Sequence, residues 1–238
     1  MSTSADVLAV VIGRAGSKGL PGKNALPVAG RPMVQHAILH ARAATSVGRV
    51  VVSTDGDAIA AAARAVGAEV VLRPAPLADD LAPVDATVRH AVEACASAAS
   101  IIVILYANVP VRPPGLVDRA VAMLRATGAD SVQSYQRPGK YHPYWMTILD
   151  EEGRVRPWQA NAVHRRQDLP PCFMPDGGVI AVTRTSLFTI EPGQPHAFLG
   201  RDRRGIENPV GSVVDVDTRV DLLVAEAILA GAGPEPGP

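Results

Sequence analysis

Hydrophobic positions along this chain change period repeatedly, and the changes mark out its elements. Val7 to Ile12 is an unbroken apolar run rich in β-branched side chains, which predicts a buried strand. Met33 to Ala44 carries apolar residues at helical spacing, Arg49 to Ser53 returns to a β-branched run, and Asp57 to Val66 is an alanine-rich helix. The alternation continues with a short strand at Glu69 to Leu72, a helix at Val84 to Ala98 and a strongly β-branched central strand at Ile101 to Tyr106. Gly115 to Arg125 is predicted helical, Ser131 to Gln136 and Gly178 to Thr183 are predicted strands, and Val220 to Leu229 is the last helix. Strands alternating with helical patterns imply βαβ units. The expected fold class is therefore α/β, a Rossmann-like three-layer sandwich with a mostly parallel sheet. Residues 1–230 read as one domain, and the low-complexity GAGPEPGP at 231–238 as a disordered tail.

One segment breaks the alternation. Pro138 to Pro175 is rich in Pro, Tyr, Trp and Arg, and it holds both tryptophans, Trp145 and Trp158, of a chain that is only 4% aromatic. Two readings stand side by side: a lid or subunit interface, where aromatic and arginine anchors gather, or a satellite hydrophobic cluster under a long excursion.

Composition narrows the classes. With 238 residues, 47% of them hydrophobic, the chain can bury one substantial core. Its 23 basic and 23 acidic residues cancel, so no bulk field draws it to nucleic acid or to an anionic membrane. No apolar run approaches the roughly 18 residues of a membrane span, and the start of the sequence lacks a signal-peptide pattern, so a cytoplasmic location is expected. Cys95 and Cys172 are too few and too far apart for a disulfide framework or a zinc site and read as reduced structural thiols.

The chemistry is concentrated in two places. Directly after the first strand, GRAGSKGLPGKN brings Arg14, Lys18 and Lys23 among Gly13, Gly16 and Gly19. Glycines admit positive φ and close approach of a ligand to main-chain N–H groups, and the cations can neutralise a polyphosphate. Neither familiar phosphate motif is present: Lys23 is followed by Asn24 instead of Ser or Thr, and the glycines are spaced by three instead of as G-x-G-x-x-G. An ordinary βα turn with solvated basic residues remains the alternative. Ser17 and Asn24 can bond phosphate or ribose, or stabilise the loop itself.

The second place is Val213 to Asp217, VVDVD. In an extended strand Asp215 and Asp217 face the same way, and two adjacent carboxylates call for a hard divalent cation between them. The competing reading has Asp215 capping a turn and Asp217 N-capping the following helix. His36 and His40 have the i,i+4 spacing of a zinc pair, but no Glu lies between them and no third ligand is evident, so they read as solvated helix histidines. His142 and His164 lie in the excursion, and no G-x-S-x-G nucleophile motif occurs.

Taken in order, GRAGSKGLPGKN with its following GRPM, VVVSTDGDAIAAAA, EVVLRPAPLADD and VVDVDTRVDLLVAE resemble the sugar-acid cytidylyltransferases, most closely the acylneuraminate branch of CMP-sialic acid synthetase-like enzymes. The resemblance runs from about Val7 to about Leu229. It implies transfer of CMP from CTP to the anomeric hydroxyl of a 2-keto-3-deoxy sugar acid, with pyrophosphate released. It also implies Mg²⁺ on Asp215 and Asp217, and a homodimer in which the excursion helps complete the partner's site. By the same matching, Gly13, Arg14, Gly16, Ser17, Lys18, Lys23, Asn24, Arg73 and Ala82 bind the nucleotide, with Arg14 and Lys23 catalytic beside the two aspartates. The alternative for Arg73 is a surface arginine. Asp221 also matches the pattern, though its place in the helix allows a surface role.

Most departures fall on the acceptor side. YANVP, with Tyr106 and Asn108, stands where sialate enzymes carry a QPTSP-like run, and Met174 stands where they can have Arg. Asp176 replaces the commoner Asn, and Arg166 keeps a basic interface position; one departure is on the nucleotide side, at Val84, where relatives often offer a hydroxyl. Tyr106, Asn108, Arg166 and Asp176 are thus expected to meet a sugar acid other than N-acetylneuraminate. Two other classes are carried: a relative using another nucleotide or acceptor, such as a sugar 1-phosphate or a phosphonate, and a non-catalytic nucleotide- or sugar-binding regulator.

Overall fold

The computed structural model describes residues 6–17, 19–79 and 81–231. In chain order its elements are β1 (Val7–Ile12), β2 (Pro27–Val28), β3 (Arg31–Pro32), α1 (Met33–Ala43), β4 (Arg49–Thr54), α2 (Asp57–Ala65), β5 (Glu69–Leu72), α3 (Val84–Ala94) and β6 (Ile101–Tyr106). There follow α4 (Leu116–Thr127), β7 (Ser131–Gln136), β8 (Thr147–Leu149), β9 (Val155–Pro157), β10 (Met174–Thr183), α5 (Arg184–Leu187), β11 (Arg203–Glu207) and α6 (Arg219–Gly231). Seven strands form one sheet in the order β11-β7-β10-β6-β1-β4-β5. Within it only β10 runs antiparallel to its neighbours, β6 and β7.

The period of two in β1 divides the core. Val7, Ala9 and Val11 enter the layer under α1, α2 and α4, whereas Leu8, Val10 and Ile12 enter the layer under α3 and α5. A third, smaller cluster seats Leu222 and Ala225 of α6 against Val28, Met33, Val111, Val214 and Val216. Because β4 and β5 lie on one side of β1 and β6 on the other, the connectivity reverses between β1 and β6. In open α/β sheets that reversal opens a crevice beyond the carboxyl ends of the strands, and it fixes where a ligand sits.

Several expectations need correction. α3 stops at Ala94, not Ala98, because Ala96 turns left-handed at φ 49°. α6 continues through Gly231, and the rest of the expected tail, 232–238, lies outside the described residues. β10 starts at Met174, not Gly178, with a register shift between Pro175 and Ile180. The edge strand β11 and the hairpin β8–β9 had not been expected. His36 and His40 are not solvated: their ring nitrogens bond the Val28 and Pro110 carbonyls at 2.9 and 3.4 Å, and burial lowers His40 to about 4.

The excursion leaves the sheet after β7 and returns at β10. Its base is anchored by buried His142, whose ring donates to the Pro170 carbonyl at 3.0 Å and accepts from the Tyr144 N–H at 3.1 Å. Its β8–β9 tip exposes Leu149, Val155 and Trp158, each to about two thirds, so the tip is no satellite core within this chain. Among the described residues no helix is long and apolar enough to cross a membrane.

Candidate active site

A cavity of about 270 Å³ opens at the carboxyl ends of β1 and β6. It is lined by Gly13, Arg14, Lys23, Asn24, Arg73, Ala82, Tyr106 and Asn108 from the sequence-predicted set, together with Ile12, Leu77, Asp79, Val84 and Thr87. Gly13 and Gly19 act by close approach. A Cβ on Gly13 would lie 2.7 Å from the Ala107 Cβ, and one on Gly19 would lie 2.6 Å from the Asp217 carbonyl oxygen. Gly13 and Gly16 are not left-handed, and a Cβ on Gly16 would meet nothing within 4 Å; Gly22, at φ 65°, is left-handed. Gly16 is exposed, Ser17 is half-buried, and neither lines the cavity. Lys18 lies outside the described residues.

Two polar contacts shape the loop. Ala15 N–H donates to Asp55 at 2.9 Å, and the Asn24 side-chain amide donates to the Arg14 carbonyl at 2.9 Å. Asn24 therefore does stabilise the loop. Its Oδ1, however, is buried with no hydrogen-bond partner among the described residues, an acceptor left for a donor on a bound molecule. Arg73 is held by Ser53, with Nε 3.0 Å from the hydroxyl and Nη2 2.8 Å from the carbonyl. Burial lowers its pKa to about 10, with Asp55 opposing and the nearby Arg14 charge reinforcing the shift. Arg73 is thus a cavity wall, not a surface arginine, and an anion bound between it and Arg14 would relieve their repulsion.

The carboxylate pair does not line this cavity but bonds two residues that do, Lys23 and Asn108. Val214 and Val216 N–H groups bond the Val111 and Asn108 carbonyls at 3.3 and 2.8 Å, which keeps the segment extended. Val216 is fully buried, so Asp215 and Asp217 point the other way. Asp215 accepts from the Asn108 amide, and Asp217 accepts from the Lys23 ammonium, which also donates to the Val216 carbonyl at 3.0 Å. Asp215 keeps one side open to solvent, yet the protein around its carboxyl and then the Asp217 charge push its pKa up to about 6, against the pull of Lys23 and Arg112. This pair of hard oxygen donors, mutually repelling, fits a divalent cation, which would need its remaining ligands from other groups. Among the described residues no group of three or more His, Cys, Asp or Glu is placed to hold a metal.

The capping alternative resolves against Asp217. Thr218 precedes α6 and Asp221 occupies its first turn; Thr218 N–H donates to Asp221 at 2.7 Å, and Asp221 N–H donates back to the Thr218 hydroxyl at 3.3 Å. That reciprocal pair is a capping box, so Asp221 serves the helix.

Two predicted acceptor contacts are not in the cleft. Asp176 is buried, and its carboxylate accepts from the Ser134 hydroxyl, the Gly178 N–H at 2.9 Å and the Asn208 amide at 2.8 Å, which leaves it committed inside the protein. Arg166 lies exposed in the excursion and lines neither this cavity nor its neighbour. The neighbour, about 380 Å³, shares Val84 and Tyr106 with the first and adds Gln133, Tyr135, His196, Phe198 and Arg203. Burial, and next the Asp215 charge, raise the Tyr106 pKa, so its hydroxyl stays protonated at the join.

Comparison with known proteins follows the same lines. The cytidylyltransferase family pattern matches residues 8–169. The chain belongs to this family. As a cytidylyltransferase it is similar to the CMP-N,N'-diacetyllegionaminic acid synthase of Legionella pneumophila, 29% identical over 94% of this chain and 96% of that protein. It is also 25% identical, over 91% of its length, to the N-acylneuraminate cytidylyltransferase of Streptococcus agalactiae serotype V, of which it spans about half (51%). Among solved structures, a CMP:2-keto-3-deoxy-manno-octonic acid synthetase complexed with CTP superposes with a TM-score of 0.72 at 19% identity, covering 94% of this chain and 98% of that one, which shows the shared fold. For this cytidylyltransferase, sequence reading missed Asp55, Asp79, Thr87 and Arg112. Asp55 lies within the STDGD run that carried the resemblance; buried Arg112 has no local signal, because its contacts are all tertiary or to carbonyls of an irregular turn.

Proposed function

We propose that this chain transfers CMP from CTP to the anomeric hydroxyl of a 2-keto-3-deoxy sugar acid and releases pyrophosphate. The observation that carries the reading is the meeting of Arg14, Lys23 and Arg73 around one cavity, two of whose lining residues hold the aspartate pair beside it: Lys23 bonds Asp217 and Asn108 bonds Asp215. Such a site binds a triphosphate without offering a nucleophile of its own, so the work is positioning and charge stabilisation.

Arg14 and Lys23 offset charge on the α-phosphate and the leaving pyrophosphate, while Arg73 and the Ala82 segment border the nucleoside end. Asp215 and Asp217 would hold Mg²⁺, which when bound supplies charge neutralisation and orientation of phosphate oxygens. The acceptor approaches from the adjoining cavity, with Tyr106 at the join and Asn108 steadying Asp215. Its hydroxyl attacks the α-phosphorus in line with the departing pyrophosphate. The acceptor is a nine-carbon or similar 2-keto acid other than N-acetylneuraminate, since Tyr106 fills space and offers one hydroxyl where an amide would offer paired donors and an acceptor. A homodimer formed through the excursion, acting in the cytoplasm where nucleoside triphosphates are available, completes the proposal.

The test is pyrophosphate release with each of the four nucleoside triphosphates and a panel of acceptors: N-acetylneuraminate, pseudaminate, legionaminate, the eight-carbon 3-deoxy-octulosonate and sugar 1-phosphates. Release with CTP that requires both Mg²⁺ and a 2-keto acid is the expected result. Preference for a sugar 1-phosphate, or for another nucleotide, would overturn the reading. If N-acetylneuraminate wins on kcat/KM by tenfold, about 1.4 kcal/mol, the inference from Tyr106 fails.

A further inference from the structure

Arg112 is 4% exposed, and among the described residues no carboxylate bonds its guanidinium. Instead its three nitrogens donate to three main-chain carbonyls: Nε to Gly178 at 2.6 Å, Nη2 to Tyr106 at 2.8 Å, and Nη1 to Val109. These carbonyls belong to two irregular segments. Tyr106 to Val109 is the turn after β6 that carries Tyr106 and Asn108 into the site. Gly178 is in the bulge of β10, where register is lost between Pro175 and Ile180. Gly177 in that bulge is left-handed at φ 75°, and a Cβ there would lie 3.6 Å from Asp215 Oδ2, so the bulge backbone runs beside the carboxylate.

On its other side the bulge is gripped by Asp176, which accepts from Gly178 N–H, from Ser134 and from Asn208, itself bonded through its side-chain oxygen to Arg119 at 3.0 Å. A buried base and a buried acid therefore hold the two polar groups of Gly178, its carbonyl and its N–H, and their charges attract. Only a planar guanidinium has donors fanned out to reach three separate carbonyls; an ammonium on a flexible stem does not.

We infer that Arg112 is a positioning residue, the clamp that ties the Tyr106–Val109 turn to the β10 bulge and so holds Asn108 and Asp215 in mutual register. Asp176, expected from the sequence to touch the acceptor, is the second jaw of that clamp. The kinetic part of the inference rests on the proposed nucleotidyl transfer; the structural part does not.

Three measurements test it. In Arg112→Lys, kcat should fall by roughly a hundredfold while KM for CTP stays within about threefold, because misplacing reacting groups by about an ångström costs that much and the Gly13–Asn24 loop is untouched. In the same variant, amide exchange at Val109 and Gly178 should quicken at least about tenfold, with β1 and β4 unchanged. In the wild type, the Arg112 Nε–H should exchange far more slowly than that of exposed Arg154. Wild-type kcat with wild-type exchange at Val109 and Gly178 would overturn the inference, as would activity that merely tracks the folded fraction. Should Arg112→Lys not fold, a fast-exchanging Arg112 Nε–H in the wild type overturns it and a protected one supports it. A wild type that releases no pyrophosphate with any acceptor would remove the proposed function, and the exchange measurements would still decide the clamp.

Discussion

Lys23 belongs to two parts of the site at once. It ends the glycine-rich loop, yet its ammonium rests on the Val216 carbonyl and the Asp217 carboxylate, so the loop and the acidic segment are held together by one side chain. Asp217 is 68% exposed, and an ion pair so open to solvent contributes under about 1 kcal/mol to stability. Lys23→Ala and Asp217→Asn should therefore fold normally while turnover falls by about two to three orders of magnitude, the loss typical of removing one preorganised charge. A folded Asp217→Asn protein with unchanged Mg²⁺-dependent pyrophosphate release would end the metal assignment. His40 gives a prediction of another kind. Burial first, and then the Arg112 charge, hold it near 4 against 6.5 for a free histidine, so the unfolded chain takes up the proton first as pH falls. Stability is full above about pH 6.5 and is lost as pH falls towards 4, by up to roughly 3 kcal/mol. His40→Gln should flatten that acid slope in urea titrations at pH 7.5, 6 and 5; identical slopes in both proteins would refute it.

Elements were legible to the degree that their burial is two-sided. β1 and β6 are apolar throughout, and β4 through its Val50–Val52 centre, because both faces meet helices, and the sequence pattern shows this directly. β11, RRGIE, was not legible: it is an edge strand, edges carry charge, and only Ile206 along it is buried. Period two did place Asp215 and Asp217 on one side, and the loop glycines were recognised, although Gly13 and Gly19 work by close approach and Gly22 is the left-handed one. Asp176 was misplaced because a carboxylate before two glycines looks like a ligand contact until its three donors are seen. The cap of α6 can be tested at this scale. Thr218→Ala removes the hydroxyl half of the capping box and should cost about 1 kcal/mol, read as a lower unfolding midpoint. Because Thr218 adjoins Asp217, a midpoint unchanged from wild type would mean that α6 is fixed by its packing on Met33 and Val216 alone.

For the whole molecule the unresolved balance lies in the excursion. An isolated two-stranded hairpin is marginal in water, and β8–β9 has only Ile148 partly covered, while Leu149, Val155 and Trp158 stand 64–65% exposed. Its base is fixed at His142, so the tip projects from a firm root. Apolar surface of this kind, rimmed by the Arg154 ion pairs to Asp150 and Glu152, has the anatomy of an interface core with a polar rim. Burying each such side chain against a second copy is worth about 1.5–3 kcal/mol, which is ample to set an oligomeric state when both copies contribute. Wild-type protein should therefore sediment at twice the mass of one chain at micromolar concentration. Leu149→Asp combined with Trp158→Asp should sediment as a single chain, with the unfolding midpoint of the sheet little changed because neither residue touches its core. Loss of transfer in that single-chain form would show that the partner completes the site. Wild type sedimenting as one chain, or a doubly substituted protein still paired, would remove the hairpin from the interface.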